Sequence, residues 1–189
     1  MAQSDIILTF STVIYGMMLL ELGTRLHKLL RNRESIKWHY LPLLTAWLIL
    51  IMILKNWWYL SLNSMDISES SFSILEFIFN GHLLVLFYLL TTSVLPDKLN
   101  DNNLNLKTFY FNNRKYFWSI FSLSILMIFF NTLYKYFTSE HIQISEIIGI
   151  LFFCLLSIIL IKTKKNWVHL LIILFFIAKN ILEIISLKI

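Results

Sequence analysis

The stretch RLHKLLRNRESIKWHY, from Arg25 to Tyr40, brings together side chains that can bind anions and transfer protons. It holds five Lys or Arg and two His within sixteen residues. A cluster of this kind suits a grip on nucleic acid, a catalytic loop, or the cationic flank of a membrane helix. The segments on either side of the stretch decide among these three roles.

Catalysis is the most specific of the three interpretations. Arg33 and His39, with five residues between them, resemble the Arg and His that ribonucleases of the HEPN type place near a helix end. However, Glu34 replaces the polar residue that usually follows this Arg, and His39 stands just before Leu41, where an apolar segment begins. The sequence also lacks a Gly-rich phosphate loop and a Gly-x-Ser-x-Gly nucleophile elbow. We therefore expect no enzyme.

Apolar segments fill most of the rest of the chain. Hydrophobic residues make up 58% of the 189 residues, and only four Gly and two Pro interrupt them. Most segments reach the roughly 20 residues that cross a bilayer as a helix, which satisfies its own backbone hydrogen bonds. The sequence predicts an all-α fold, a single integral membrane bundle over residues 1–189 with about six transmembrane helices. The predicted spans are 6–26, 41–60, 72–95, 117–137, 147–161 and 167–187.

The Lys and Arg residues are distributed unevenly among the connections. Twelve of the sixteen lie in the first, third and fifth connections, whereas the second, SLNSMDISES, has none. By the positive-inside rule, the odd-numbered connections face the cytoplasm and both termini are extracytoplasmic. These cations can bind anionic lipid headgroups, at about 1 kcal/mol each, or a cytoplasmic partner. The candidate partner-binding residues are Arg25, Lys28, Arg31, Arg33, Lys37, Arg114 and Lys115.

A second group of polar residues lies inside the predicted spans, where a charge is costly without a partner. Lys55 and Glu76 fall at similar depth in the second and third spans and can pair, and Asn80 lies one turn beyond Glu76. Lys179 and Glu183 form an i, i+4 pair in the sixth span. Such a cluster is either a ligand or ion site, or a set of interhelical pairs that fixes the bundle. We favour the structural role.

Metal and cofactor chemistry finds little support in the sequence. His82 and His169 stand apart, without the Glu-x-x-His spacing of a di-iron bundle or the His-Glu-x-x-His of a zinc protease. Cys154 is the one cysteine, so the chain cannot form an internal disulfide. We therefore expect no metal and no cofactor.

The third connection, PDKLNDNNLNLKTFYFNNRKYFW, interleaves aromatic and basic residues in its second half. Such a pattern can stack nucleobases, and it is also typical of the aromatic belt at a membrane interface. Because the segment leads directly into an apolar span, we favour the belt.

The chain resembles a broad set of small bacterial multi-pass membrane proteins, mostly without assigned function, over roughly its first 120 residues. The shared features are a Leu/Thr/Arg-rich end of the first helix, a Trp pair ending the second, Pro-Asp after the third, and an aromatic-Arg-aromatic start of the fourth. They lie in TVIYGMMLLELGTRLHKLLRNR, KWHYLPLLTAWLILIMILKNWW, LLVLFYLLTTSVLPD and TFYFNNRKYFW.

Within that set, the size, the basic connections and the Gly-poor, Asn/Lys/Ile-rich composition resemble the small membrane accessory protein of type VI-B CRISPR systems. The resemblance implies a non-enzymatic regulator in the bacterial inner membrane that modulates a cytoplasmic RNA-guided RNase in antiviral defence. The effector protein or its RNA would be its partner, and the sequence also predicts contact with the lipid bilayer and with further copies of the chain. The alternatives are an oligomeric pore or depolarising effector lined by the intramembrane polar cluster, or a small transporter or membrane sensor.

Overall fold

The structure, a computed structural model, describes residues 3–66, 74–97, 104–137 and 144–186. Over these residues the fold is all-α, as predicted, apart from two strands of two residues each, β1 (Ile36–Lys37) and β2 (Leu104–Asn105). The helices are α1 (Gln3–Arg31), α2 (Tyr40–Asp66), α3 (Ile74–Val94), α4 (Leu106–Phe137), α5 (Ile144–Lys162) and α6 (Asn166–Ser186).

Four of these helices, α2, α3, α4 and α6, are long and apolar enough to cross a membrane, and α5 is a shorter apolar helix. Large apolar side chains cover much of their outward surface, for example Phe130 on α4, Leu155 on α5 and Leu182 on α6, which are more than half exposed. A water-soluble bundle would place polar residues at such positions. The composition and length of the helices therefore support a membrane protein with transmembrane helices.

Helix α2 lies at the centre of the bundle and contacts α1, α3, α4 and α6. Helix α4 packs against α3 on one side and α5 on the other. Rings connect α5 to α6, with the centroids of Phe153 and Phe176 5.4 Å apart. Side chains from five helices meet in the core, and each of them is almost completely buried: Met18, Leu48, Leu90, Trp118 and Ile173.

Helix α4 begins eleven residues before the predicted span 117–137, at Leu106. The side chain of Asn105 caps this end, because its Oδ1 accepts hydrogen bonds from the backbone N–H groups of Lys107 (3.0 Å) and Thr108 (3.3 Å). Leu106 and Tyr110 follow one another at i, i+4 on the buried face. The second half of the third connection is therefore helical, and α4 begins before the predicted span.

The first, third and fifth connections meet at one end of the bundle. Strand β1 of the first connection pairs in parallel with β2 of the third, in register Ile36 with Leu104. The ring of His169 bonds both the carbonyl of Thr163 in the fifth connection and the hydroxyl of Tyr110 near the start of α4. We call this the basic end, and the other end, where α2 finishes and α3 begins, the opposite end.

Candidate functional site

Exposed cations cover the basic end. Lys28 and Arg31 lie on the last turns of α1, Arg33 on a single turn of 3-10 helix, and Lys37 on β1. Among the described residues, two carboxylates in the same region are also exposed: Asp97 lies 3.7 Å from the ammonium of Lys28, and Glu34 follows Arg33. The surface is therefore predominantly positive. Within the described part of the chain, the exposed cations of this end are Lys28, Arg31, Arg33, Lys37, Lys107, Lys115, Lys162, Lys164 and Lys165.

Arg25, which we expected on the partner-binding surface, is buried, with 8% of its surface exposed. Its Nε donates to Oε1 of Glu21 at 2.6 Å, and its Nη1 donates to the carbonyl oxygen of Leu95 at 2.7 Å. The second bond joins the end of α1 to the residue just after α3. The guanidinium therefore forms a contact between helices and does not lie on the partner-binding surface, where the sequence analysis placed it.

Arg114 is also 8% exposed, and so does not lie on the surface predicted for it. Its Nη1 donates to the carbonyl oxygen of Phe111 at 2.7 Å. The neighbouring Asn113 donates through Nδ2 to the carbonyl oxygen of Ser93 and thereby fixes α4 against α3. Because the third connection is helical at this point, Arg114 faces the bundle. Of the seven predicted partner-binding residues, five remain exposed: Lys28, Arg31, Arg33, Lys37 and Lys115.

A buried hydrogen-bond chain, which the sequence did not reveal, joins α4 to α6. The Nε2 of His169 lies 3.1 Å from the carbonyl oxygen of Thr163, which can only accept, so Nε2 carries the proton. In the neutral imidazole, Nδ1 then accepts the hydroxyl hydrogen of Tyr110 at 2.8 Å. The Tyr110 oxygen in turn accepts from Nε1 of Trp118 at 3.1 Å. Each donor thus faces one acceptor, and the three hydrogen bonds run in one direction, from Trp118 through Tyr110 and His169 to the carbonyl of Thr163.

These contacts also decide the role of the aromatic residues in the third connection. Tyr110, Phe117 and Trp118 have 5% or less of their surface exposed. They can neither stack nucleobases nor form a membrane-interface belt, so they pack the core beneath the basic surface. Tyr116, which is 53% exposed, remains available for an interface.

The predicted intramembrane cluster is assembled in part, at the opposite end. The ammonium of Lys55 on α2 donates to Oδ1 of Asn180 at 2.6 Å and to Oε2 of Glu183 at 2.7 Å, both on α6. Lys179 pairs with the same carboxylate and lies 4.7 Å above the ring of Phe153. One carboxylate thus holds two ammonium groups between α2 and α6.

The two remaining members of the predicted cluster belong to α3. The side chain of Glu76 lies outside the described residues, so the predicted pairing of Lys55 with Glu76 stays a prediction. Asn80 is half-buried, and among the described side chains it forms no hydrogen bond with Lys55, Lys179 or Glu183. Asn180 takes the amide position that the sequence assigned to Asn80.

His39, part of the Arg–His pair considered for catalysis, caps a helix. Its Nδ1 accepts the backbone N–H of Leu41 at 3.3 Å, and its ring stacks on Tyr40 with 4.4 Å between centroids. Desolvation, and then the nearby positive charge of Lys107, lower the pKa of His39 below its usual value. Within the described part of the chain, no group of three His, Cys, Asp or Glu is arranged to hold a metal ion.

Comparisons with protein-family models, with curated proteins and with solved structures found no match to this chain.

Proposed function

We propose that this protein is a non-catalytic, multi-pass protein of the bacterial inner membrane, whose basic end faces the cytoplasm and binds an anionic partner. The observation that carries the proposal is the convergence of the exposed cations. Three connections separated in sequence place their Lys and Arg side chains on one end of an apolar bundle. Positive charge next to membrane helices favours the cytoplasmic side.

The partner, in this proposal, is a cytoplasmic RNA-guided defence effector or the RNA that it carries. An RNA backbone or an acidic protein face provides the negative charge that such a surface attracts. The pairing of β1 with β2 supports a preformed surface, because it holds Lys37 of the first connection against the start of α4, where Lys107 lies. The resemblance to the type VI-B accessory protein supports the choice of partner.

The pore interpretation receives less support from the geometry. Lys55, Lys179 and Glu183 form a closed network within one chain, in which the carboxylate engages both cations. Charges that satisfy one another between two packed helices are typical of interhelical fixation. We therefore assign these residues a structural role.

The test is RNA-guided interference against a phage transcript, in cells carrying a type VI-B effector with or without this gene. The wild-type gene is expected to change interference only where the effector is present. A variant that neutralises the five exposed residues of the predicted set is expected to lose that change, because it removes most of the electrostatic attraction to the anionic partner. Its substitutions are Lys28→Gln, Arg31→Gln, Arg33→Gln, Lys37→Gln and Lys115→Gln.

The matched control exchanges Lys and Arg at the same five positions and keeps every charge, so it should retain the effect. Because positive charge also sets topology, each variant is checked with reporter fusions in the even-numbered and odd-numbered connections. Full activity of a correctly oriented neutralised variant would refute the proposal. Depolarisation of the membrane by expression alone, without an effect on interference, would favour the pore.

A further inference from the structure

At the basic end, α4 extends further than its neighbour α5. The Oγ atoms of Ser122 on α4 and Ser157 on α5 lie 2.6 Å apart, which fixes the register of these two antiparallel helices. Helix α5 continues only five residues past this contact, to Lys162, whereas α4 extends sixteen residues in the same direction, to Leu106. The difference of eleven residues leaves about 16 Å of α4 beyond the end of α5, at 1.5 Å per residue.

The face of α4 that packs on α5 continues past this point without a covering helix. Ser119 and Lys115 precede Ser122 by three and seven residues, which places all three on one face. Ser122 is half-buried against α5, whereas Ser119 and Lys115 are exposed. Further towards the opposite end, large outward side chains of both helices are apolar, for example Leu123 on α4 and Leu155 on α5. The border between polar and apolar surface therefore lies near the end of α5.

Four exposed lysines lie at this border, and we call them the lysine step. They are Lys115, Lys162, Lys164 and Lys165. In the register set by the two serines, Lys162 is level with Phe117, and so lies within about 3 Å of Lys115 along the helix axis. Among the described residues none of the four lysines forms an ion pair, and the exposed carboxylates of this end belong to the segments after α1 and α3.

Hydrogen bonds hold the fifth connection in place, so the lysine step is preformed. Oγ1 of Thr163 accepts the backbone N–H of Lys165 at 3.3 Å, and the carbonyl of Thr163 accepts from Nε2 of His169 at 3.1 Å. The favourable position of a cation at a helix C-terminus accounts for Lys162, in the last turn of α5. It does not account for Lys115, which lies on another helix.

We propose that the lysine step binds the headgroup of an anionic phospholipid, whose acyl chains lie along the apolar outer surface of α4 and α5. The charges are complementary, because four cations without described carboxylate partners face the phosphate. The position fits as well, since headgroups lie where the apolar surface of a membrane protein gives way to its polar end. RNA or an acidic protein would match the charge but not the apolar surface directly beside it.

The proposal goes beyond the function proposed above, and it does not depend on an effector. Three of its four residues belong to the fifth connection, and only Lys115 is shared with the surface assigned to the effector. A failure of either proposal would therefore leave the other standing.

The test measures binding of fluorescent phosphatidylglycerol to the purified full-length protein in a neutral detergent, with phosphatidylcholine as the zwitterionic comparison. The wild type should bind phosphatidylglycerol more tightly, and added salt should weaken this binding by screening. Neutralising the fifth connection should reduce the affinity about fivefold for each lysine, and so about 100-fold in all at low salt. The substitutions are Lys162→Gln, Lys164→Gln and Lys165→Gln.

Two controls separate a site from diffuse attraction. Arg at the same three positions keeps the charge and should retain lipid binding. A second variant removes three cations from the α1 side of the same end and should bind phosphatidylglycerol nearly as the wild type does. Its substitutions are Lys28→Gln, Arg31→Gln and Arg33→Gln. All six positions are exposed, so both neutralised variants keep the buried contacts of the bundle.

Three outcomes would overturn the proposal. One is equal affinity of the wild type for the two phospholipids, and another is an equal loss of phosphatidylglycerol binding in the two neutralised variants. The third is binding of a short RNA that only the fifth-connection variant loses, while its phosphatidylglycerol binding stays unchanged, which would assign the lysine step to nucleic acid.

Discussion

The two ends of the bundle handle charge in different ways. At the basic end, Arg25 and Arg114 are buried and donate to backbone carbonyls, and the exposed cations lie above them. At the opposite end, Lys55 and Lys179 share the side chain of Glu183, and all three remain partly exposed. Hydrogen bonds at the basic end connect α1 to the residue after α3, and α4 to α6. At the opposite end, the ion pair of Lys55 with Glu183 connects α2 to α6.

The difference shows which end depends on buried polar contacts for its structure. A buried donor that loses its acceptor, or an acceptor that loses its donor, keeps its full desolvation cost. At the opposite end, the carboxylate of Glu183 has two cations and keeps one of them when the other is removed. Substitutions at the basic end should therefore reduce stability more than substitutions at the opposite end.

The largest loss of stability is expected for Arg25→Met. It leaves the carbonyl of Leu95 without its donor and Glu21 without its cation, so the unfolding free energy should fall by about 3 kcal/mol. Denaturant unfolding in detergent measures it. Arg31→Met, an exposed position on the same helix, is the control and should change stability by less than about 0.5 kcal/mol. Equal effects of the two substitutions would contradict the burial of Arg25.

Tyr110→Phe should have the next largest effect. It removes the hydroxyl that lies between Trp118 and His169 and leaves a buried donor and a buried acceptor unpaired, at about 2 kcal/mol. The emission of the Trp118 indole should also shift, since its Nε1 hydrogen bond is lost. Tyr116→Phe, at an exposed tyrosine six residues later in α4, is the control. A stability unchanged by Tyr110→Phe would rule out the hydrogen-bond chain.

At the opposite end, Lys55→Met should cost less, because Lys179 still pairs with Glu183. The side chains of Lys55 and Glu183 are 19% and 39% exposed, so this pair is less completely buried than the Arg25 guanidinium. A double-mutant cycle with Glu183→Gln should give a coupling energy of about 0.5–1 kcal/mol. A coupling energy larger than the loss of unfolding free energy caused by Arg25→Met would contradict the expectation that the basic end depends more strongly on its polar contacts.

The sequence predicted the helical class and the grouping of the connections, because segment length and charge asymmetry are local properties of the chain. It missed the start of α4, where polar residues concealed a buried face. The signal was present: Asn105 occupies a cap position, and Leu106, Tyr110 and Phe117 follow at helical spacing. Reading these residues as a belt hid that spacing.

The burial of Arg25 and Arg114 could not be predicted in the same way. Their partners are backbone carbonyls, and the one that Arg25 binds, on Leu95, lies 70 residues away in the chain. Every residue has a carbonyl, so no pattern of side chains indicates such a contact. The Lys179–Glu183 pair was predicted because it is local, while the assignment of Lys55 to Glu183 required the packing of α2 on α6.

The smallest expected effect concerns the exposed surface of the basic end and depends on pH. The folded pKa of His39 lies below the ordinary value of 6.5, so the unfolded chain takes up a proton first as the pH falls. The stabilisation from the neutral ring is therefore complete above about pH 6.5 and is lost as the pH falls through the folded pKa. Protonation also removes the Nδ1 lone pair that caps α2 at Leu41.

His39→Asn tests this, because an Asn oxygen can cap the helix without titrating. Comparing unfolding of the two proteins from pH 7.5 down to pH 5, the wild type should lose more stability than the variant. The difference should be small, since the His39 ring is only partly buried. An identical pH dependence of the two proteins would mean that the His39 ring does not cap α2 in solution.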